Sequence, residues 1–127
     1  MPAIILVVDD NRLNLELVTE LLTDAGHVVR QASSAEEGLR YAYDAPPDLI
    51  LMDIGLPQMD GHAAVRELKA STRTRHVPTI ALTAYAMAGD EERALQSGFD
   101  GYISKPIQTR TFAAAIGGWL ANARGTP

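Results

Sequence analysis

The segment that most constrains the fold is a run of four apolar residues, Leu49 to Met52, that ends in the carboxylate Asp53. Pro46 and Pro47 precede this run, and a loop with proline and glycine follows it. These boundaries predict a short β-strand that is buried on both faces. Strands of this kind occur in parallel sheets covered by helices. In open α/β folds, ligands bind outside the carboxyl ends of the strands, where Asp53 is expected to lie.

The rest of the chain repeats the alternation of strand and helix. Further strands are predicted at 4–8, 28–32, 78–83 and 101–104, and helices at 11–25, 34–44, 62–71, 90–98 and from about 108. Five strands alternating with five helices predict an α/β fold with a doubly wound parallel sheet. We expect the flavodoxin-like strand order 2-1-3-4-5, because the more polar second strand suits an edge of the sheet.

Composition narrows the class of protein. At 127 residues, the chain is expected to be one domain over 1–127, with a loose tail at 121–127. A net charge of −5 argues against nonspecific binding to nucleic acid or to an anionic membrane. The absence of cysteine excludes disulfides and thiolate metal sites. Apolar runs are too short to span a membrane and no export signal is present, so a cytoplasmic location is expected.

Polar side chains are predicted to meet at the carboxyl edge of the sheet. Asp9 and Asp10 follow the first strand, Asp53 ends the third, Thr83 ends the fourth and Lys105 follows the fifth. Carboxylates packed together stay ionised only if a cation lies among them. Oxygen donors suit Mg²⁺, and the hydroxyl and ammonium opposite would complement an anion bound to that metal. The set therefore predicts a phosphoryl site.

Two other interpretations of this edge compete with the phosphoryl site. One is a solvated acidic edge that Lys105 neutralises. The other is an FMN site, which is disfavoured because Asp9-Asp10-Asn11 lacks the Ser, Thr or Gly donors that would hold its phosphate. His27, His62 and His76 lie on different predicted elements without ligand spacing, so we expect surface or structural roles for them.

The motifs at these positions resemble those of the receiver domain of two-component response regulators. They are Asp9-Asp10-Asn11, Met52-Asp53, Leu56-Pro57-Gln58-Met59-Asp60-Gly61, Thr83-Ala84 and Lys105-Pro106, in this order. The resemblance covers essentially the whole chain. It is greatest to single-domain regulators of the cell-polarity and chemotaxis type, and the receivers of hybrid histidine kinases are also similar.

The resemblance implies a phosphoacceptor and a metal site. Asp53 would accept the phosphoryl group. Asp10, Asp53 and the backbone carbonyl of Gly55 would hold Mg²⁺, with Asp9 helping through water.

The resemblance also implies a switch. Thr83 and Lys105 would bind phosphoryl oxygens, and Tyr102 would be the aromatic partner of Thr83. A cis peptide bond between Lys105 and Pro106 belongs to the same pattern.

Partners are expected on two surfaces. The phosphodonor, a histidine kinase or a histidine phosphotransfer protein, would dock on the first helix beside Pro106-Ile107. A downstream target protein would bind the fourth helix, Tyr102 and the start of the fifth helix, and neither DNA nor a membrane is expected as a partner. The residues expected at these contacts are Leu13, Asn14, Tyr85, Met87, Pro106 and Ile107.

The predicted function is a phosphorylation-dependent switch that signals through protein contacts and catalyses only its own phosphorylation and dephosphorylation. The alternatives are a receiver fragment of a hybrid histidine kinase, a binding module independent of phosphorylation, and a phosphatase for a small substrate. The complete set of acids, threonine and lysine argues against the binding module. A phosphatase would place an acid two residues after its nucleophile, where this chain has Gly55.

Overall fold

The structure is a computed structural model that describes residues 3–54, 61–83 and 90–123. Strands and helices alternate along the chain as predicted. The elements are β1 (Ile4–Val8), α1 (Arg12–Asp24), β2 (Val28–Ala32), α2 (Ala35–Asp44), β3 (Leu49–Asp53), α3 (Gly61–Ala70), β4 (Thr79–Thr83), α4 (Asp90–Ser97), β5 (Gly101–Ser104) and α5 (Phe112–Ala123).

The strands form one parallel sheet with the order β2-β1-β3-β4-β5, which confirms the predicted flavodoxin-like topology. The central strands β1 and β3 are hydrogen-bonded neighbours, and Val8 lies opposite Met52. The next residue on each strand is an acid, Asp9 or Asp53, so the two acids leave the sheet side by side. The more polar strand β2 lies at one edge, as expected.

Two apolar clusters cover the two faces of the sheet. One cluster joins the sheet to α2, α3 and α4, and the other joins it to α1 and α5. All four residues from Leu49 to Met52 are fully buried, and they alternate between the two clusters. This burial is what a continuous apolar strand between two helical layers requires.

Helix α5 differs from the prediction at both ends. It begins at Phe112 rather than near Gln108, because residues 108–111 form a turn in which the Gln108 carbonyl accepts the N–H groups of Thr111 and Phe112. The β-branched Thr109 and Thr111 lower the helix propensity of this turn. The helix then runs to Ala123, so the tail predicted for 121–127 is wrong for 121–123, and 124–127 lie outside the described residues. The last turns are held because Leu120 packs in the cluster beside α1.

Within the described ranges, no helix has both the length and the apolar character needed to cross a membrane.

Candidate functional site

The first acid of the site, Asp9, is fixed where β1 leaves the sheet. Its backbone N–H donates to the carbonyl of Ala32 at 3.1 Å, which continues the pairing with β2. Its carboxylate Oδ1 accepts the backbone N–H of Asn11 at 2.8 Å. Asn11 in turn caps α1, because its side-chain oxygen accepts the N–H of Asn14 at 3.1 Å. Asp9 is fully buried, and these hydrogen bonds hold the strand-to-helix turn on both sides.

The cation of the site, Lys105, follows β5. Its backbone N–H donates to the Thr83 carbonyl at 2.7 Å, and its peptide bond to Pro106 is cis, as the resemblance implied. The ammonium Nζ lies 3.2 Å from Oδ2 of Asp9 and 3.2 Å from Oδ2 of Asp53. One ammonium therefore bridges the acids at the ends of β1 and β3.

The three acids form a cluster of oxygen donors. Asp9, Asp10 and Asp53 each offer a carboxylate oxygen, and these oxygens lie within 4.8 Å of one another. Asp9 is buried, Asp53 is half-buried and Asp10 is exposed, so the cluster opens to solvent on the Asp10 side. Carboxylate oxygens arranged in this way fit a hard cation such as Mg²⁺.

Burial and repulsion between carboxylates both act on the Asp9 carboxyl. Burial raises the pKa of the Asp9 carboxyl above its ordinary value, and the neighbouring Asp53 carboxylate raises it further. The Asn11 N–H and the Lys105 ammonium act in the opposite direction without cancelling the rise. A second cation at the cluster would relieve this repulsion.

Gly61, the first residue of α3, lies against the backbone of Asp53. Its N–H donates to the Ile54 carbonyl at 3.0 Å. A Cβ atom at this position would lie 2.8 Å from the Asp53 carbonyl oxygen and 2.8 Å from the Ile54 Cα. Only glycine allows α3 to begin so close to the site. The sequence motif contains Gly61, but no spacing rule reveals this contact.

Thr83 and Tyr102 lie on neighbouring strands. Thr83, at the end of β4, is 4% exposed and pairs in register with Ser104, whereas Tyr102 pairs with Ala81. Side chains alternate along a strand, so Ala81 and Thr83, two residues apart on β4, lie on the same face of the sheet. Tyr102, the partner of Ala81, shares that face with Thr83. Tyr102 is half-buried against the cluster beneath α2, α3 and α4.

Four of the six residues expected at partner contacts are among the described residues. Leu13 is 76% exposed, Asn14 is half-buried, Pro106 is exposed and Ile107 is half-buried. Tyr102 and Pro106 also line a groove of about 220 Å³ whose far wall includes Trp119 of α5. The other expected site and contact residues, Gly55, Tyr85 and Met87, lie outside the described residues.

Comparison with known proteins decides the family. The family model for the response regulator receiver domain matches residues 5–117. The chain belongs to this family. It is 42% identical over 123 residues to the polar-differentiation response regulator DivK of Brucella anthropi, a match that covers 97% of this chain and 100% of that protein. This confirms the predicted relationship to single-domain response regulators.

Solved structures agree with this receiver assignment. A putative response regulator from Chloroflexus aurantiacus superposes with a TM-score of 0.91 at 29% identity, over 95% of this chain and 99% of that chain. The receiver domain of the sensor histidine kinase PA1611 from Pseudomonas aeruginosa superposes with a TM-score of 0.84 at 36% identity, over 99% and 100% of the two chains. That receiver has a magnesium ion coordinated in its active-site cleft.

Proposed function

We propose that this receiver is a phosphorylation switch. Asp53 accepts a phosphoryl group from a phosphohistidine, and the phosphorylated receiver signals through protein contacts. The observation that carries the proposal is the Lys105 ammonium, which lies 3.2 Å from carboxylate oxygens of both Asp9 and Asp53. A cation held between a buried acid and the half-buried nucleophile is placed to receive phosphoryl oxygens.

Magnesium is part of the proposal. Asp10 and Asp53 would hold the ion, with Asp9 acting through water, and the third expected ligand, the Gly55 carbonyl, lies outside the described residues. When bound, Mg²⁺ neutralises phosphoryl charge and lets an anionic carboxylate approach an anionic phosphoryl group. The cluster of three carboxylates supports a magnesium site here, and the Pseudomonas aeruginosa relative has a magnesium ion in its active-site cleft.

The transfer itself requires little more than positioning. A carboxylate oxygen of Asp53 attacks the phosphorus atom, the P–N bond breaks, and its electron pair returns to the imidazole of the donor. The Asp53 backbone is held for this step, since the next residue, Ile54, donates its N–H to the Leu82 carbonyl at 3.0 Å. Lys105 then moves its contact from the Asp53 carboxylate to the phosphoryl oxygens and keeps Asp9 as a partner.

The switch follows from the placement of Thr83 and Tyr102 on one face of the sheet. The Thr83 hydroxyl moves toward the phosphoryl group, and Tyr102 turns into the space that it leaves. Tyr102 lines the groove between β5 and α5, so its rotation changes the surface offered to a target protein.

The phosphodonor docks at the other side of the site. Leu13 is 76% exposed at the start of α1, beside the Asn11 cap that leads back to Asp9. A large apolar side chain exposed to this extent is available to a partner. Asn14, Pro106 and Ile107 complete the proposed surface.

A receiver of a histidine kinase is a second candidate function, favoured by the 36% identity to the receiver of the Pseudomonas aeruginosa sensor kinase. The chemistry at Asp53 is the same in that case, and the phosphoryl group passes within a relay.

The test is the intact mass of the protein after incubation with Mg²⁺ and acetyl phosphate. The unaltered protein should gain one phosphoryl group, and Asp53→Asn should gain none. Asp44→Asn is the matched control, because Asp44 is exposed at the end of α2 and should be phosphorylated normally. A gain in Asp53→Asn equal to that of the unaltered protein would contradict the assignment of Asp53. No gain in the unaltered protein would favour a binding module independent of phosphorylation.

A further inference from the structure

A buried hydrogen bond joins α3 to α4. Nδ1 of His62, the second residue of α3, lies 2.6 Å from Oγ of Ser97, the last residue of α4, and each residue is 7% exposed. The His62 ring also meets the Phe99 ring edge-on, with centroids 6.1 Å apart and planes at 79°. Phe99 donates its N–H to the Ala94 carbonyl of α4 at 3.2 Å. His62 therefore holds the end of α4 through both a hydrogen bond and a ring contact.

Ser97 extends this contact into the backbone of α4. Its Oγ lies 2.6 Å from His62 Nδ1 and 3.0 Å from the Arg93 carbonyl oxygen. The Ser97 hydroxyl therefore links the His62 ring to the backbone of α4. This link is lost if either side chain is replaced by an apolar one.

His62 is also connected to the backbone of Asp53, through the contacts of its neighbour Gly61. His62 follows Gly61, whose N–H is bonded to the Ile54 carbonyl at 3.0 Å. A Cβ on Gly61 would lie 2.8 Å from the Asp53 carbonyl oxygen, so the start of α3 packs directly against the Asp53 backbone. A displacement of that backbone must move the start of α3, and with it His62.

We propose that His62 and Ser97 are a positioning pair that couples Asp53 to α4, and this inference rests on the proposed phosphorylation of Asp53. The last residue of α4 is thereby connected to the site through His62. Coupling of this kind requires packed contacts that both ends can bias, and the path from Asp53 through Gly61 and His62 to Ser97 supplies them.

The experiment compares paired variants of the full chain. Ser97→Ala removes the hydroxyl, whereas Ser97→Thr keeps it. His62→Phe keeps a ring against Phe99 but has no ring nitrogen to bond Ser97. Ser33→Ala is the matched control, because it removes an exposed serine hydroxyl that lies outside α3 and α4. Each protein is phosphorylated with Mg²⁺ and acetyl phosphate, its mass is checked, and the displacements of backbone amide resonances at 93–97 are measured by NMR.

All five proteins should gain one phosphoryl group. The chemical-shift changes of the α4 amides on phosphorylation should be at least about twofold smaller in Ser97→Ala and His62→Phe than in the other three proteins. Those three are the unaltered protein, Ser97→Thr and Ser33→Ala. If the hydrogen bond only stabilises the fold, Ser97→Ala and His62→Phe will melt at lower temperature but show full displacements, which would overturn the inference alone. No mass gain in the unaltered protein would overturn the proposed function and this inference with it.

Discussion

Lys105 and Asp9 form an ion pair between residues 96 positions apart, with 3.2 Å between Nζ and Oδ2 and side-chain exposures of 15% and 1%. The same ammonium also contacts Asp53. A change of charge or shape at Asp53 therefore changes what Lys105 binds, and Asp9 keeps the lysine at the site while this happens. This arrangement makes Lys105 the link between Asp53 and β5.

The first prediction concerns Lys105→Ala. We expect this variant to accept phosphate at Asp53 but to fail to switch, because the contact between the phosphoryl group and the end of β5 is lost. The amide displacements of Tyr102 and Ile103 on phosphorylation should shrink sharply in NMR spectra. Arg110→Ala removes an exposed cation from the turn before α5 and should leave them unchanged. Displacements of normal size in Lys105→Ala would exclude this role.

The second prediction is a pH dependence from Asp9. Its pKa is raised above 3.8 by burial and by Asp53, so the folded state binds the proton more tightly than the unfolded state. The stability that this proton contributes is present below 3.8 and is lost as pH rises through the raised value. Asp9→Asn cannot undergo this loss. In metal-free buffer its free energy of unfolding should therefore increase relative to that of the unaltered protein as the pH rises above 3.8.

Urea unfolding at several pH values measures this difference. Asp24→Asn, a change at the exposed end of α1, is the control and should show no such gain. If the free energy of unfolding of Asp9→Asn instead falls relative to that of the unaltered protein as the pH rises, the Asp9 charge stabilises the fold.

The third prediction concerns Mg²⁺. An ion that binds only the folded state stabilises it by about 2.7 kcal/mol at a hundredfold excess over its dissociation constant. The melting temperature should rise with Mg²⁺ in the unaltered protein and rise much less in Asp10→Asn, because one of the clustered carboxylates is gone. Calorimetric titration gives the affinities directly, with the exposed Glu36→Gln as control. Equal affinity in Asp10→Asn would mean that the ion binds elsewhere.

The fourth prediction uses two glycines. Trp119, the only tryptophan in the chain, packs on Gly101 so closely that a Cβ there would lie 2.6 Å from its Cε2. Gly101→Ala should lower the free energy of unfolding by about 1–3 kcal/mol and change the tryptophan fluorescence. Gly117→Ala, where an added Cβ meets no atom within 4 Å, should raise it by about 0.5–1 kcal/mol. A Gly101→Ala protein with unchanged stability and fluorescence would contradict this packing.

The strands and the acids that follow them could be predicted because each buried strand is a contiguous apolar run. Parallel topology then places all carboxyl ends at one edge, so Asp9, Asp53 and Lys105 were expected to be near one another. Neutralisation of this edge by Lys105 could also be predicted, but not which carboxylate oxygens its ammonium contacts. Its partners lie 96 and 52 residues away, and the distances depend on side-chain conformations that no sequence pattern encodes.

Two other features could not be predicted from the sequence, for different reasons. Helix α5 begins later than the sequence predicts, because the turn at 108–111 has helix-like hydrogen bonds and periodicity gives no sharp boundary. The bond between His62 and Ser97 joins residues 35 positions apart, and a histidine near a helix start carries no signal of its partner. Only the packing of α3 against α4 brings the two together.

The measurement that tests the central claim most directly is the location of the phosphoryl group. Borohydride reduces an acyl phosphate on aspartate to homoserine, which marks the modified residue permanently. After phosphorylation, reduction and proteolysis, peptide mass spectrometry should find homoserine at position 53 and nowhere else. Homoserine at position 9 or 10, or phosphate retained on a histidine, would contradict the assignment of Asp53 as the phosphoacceptor.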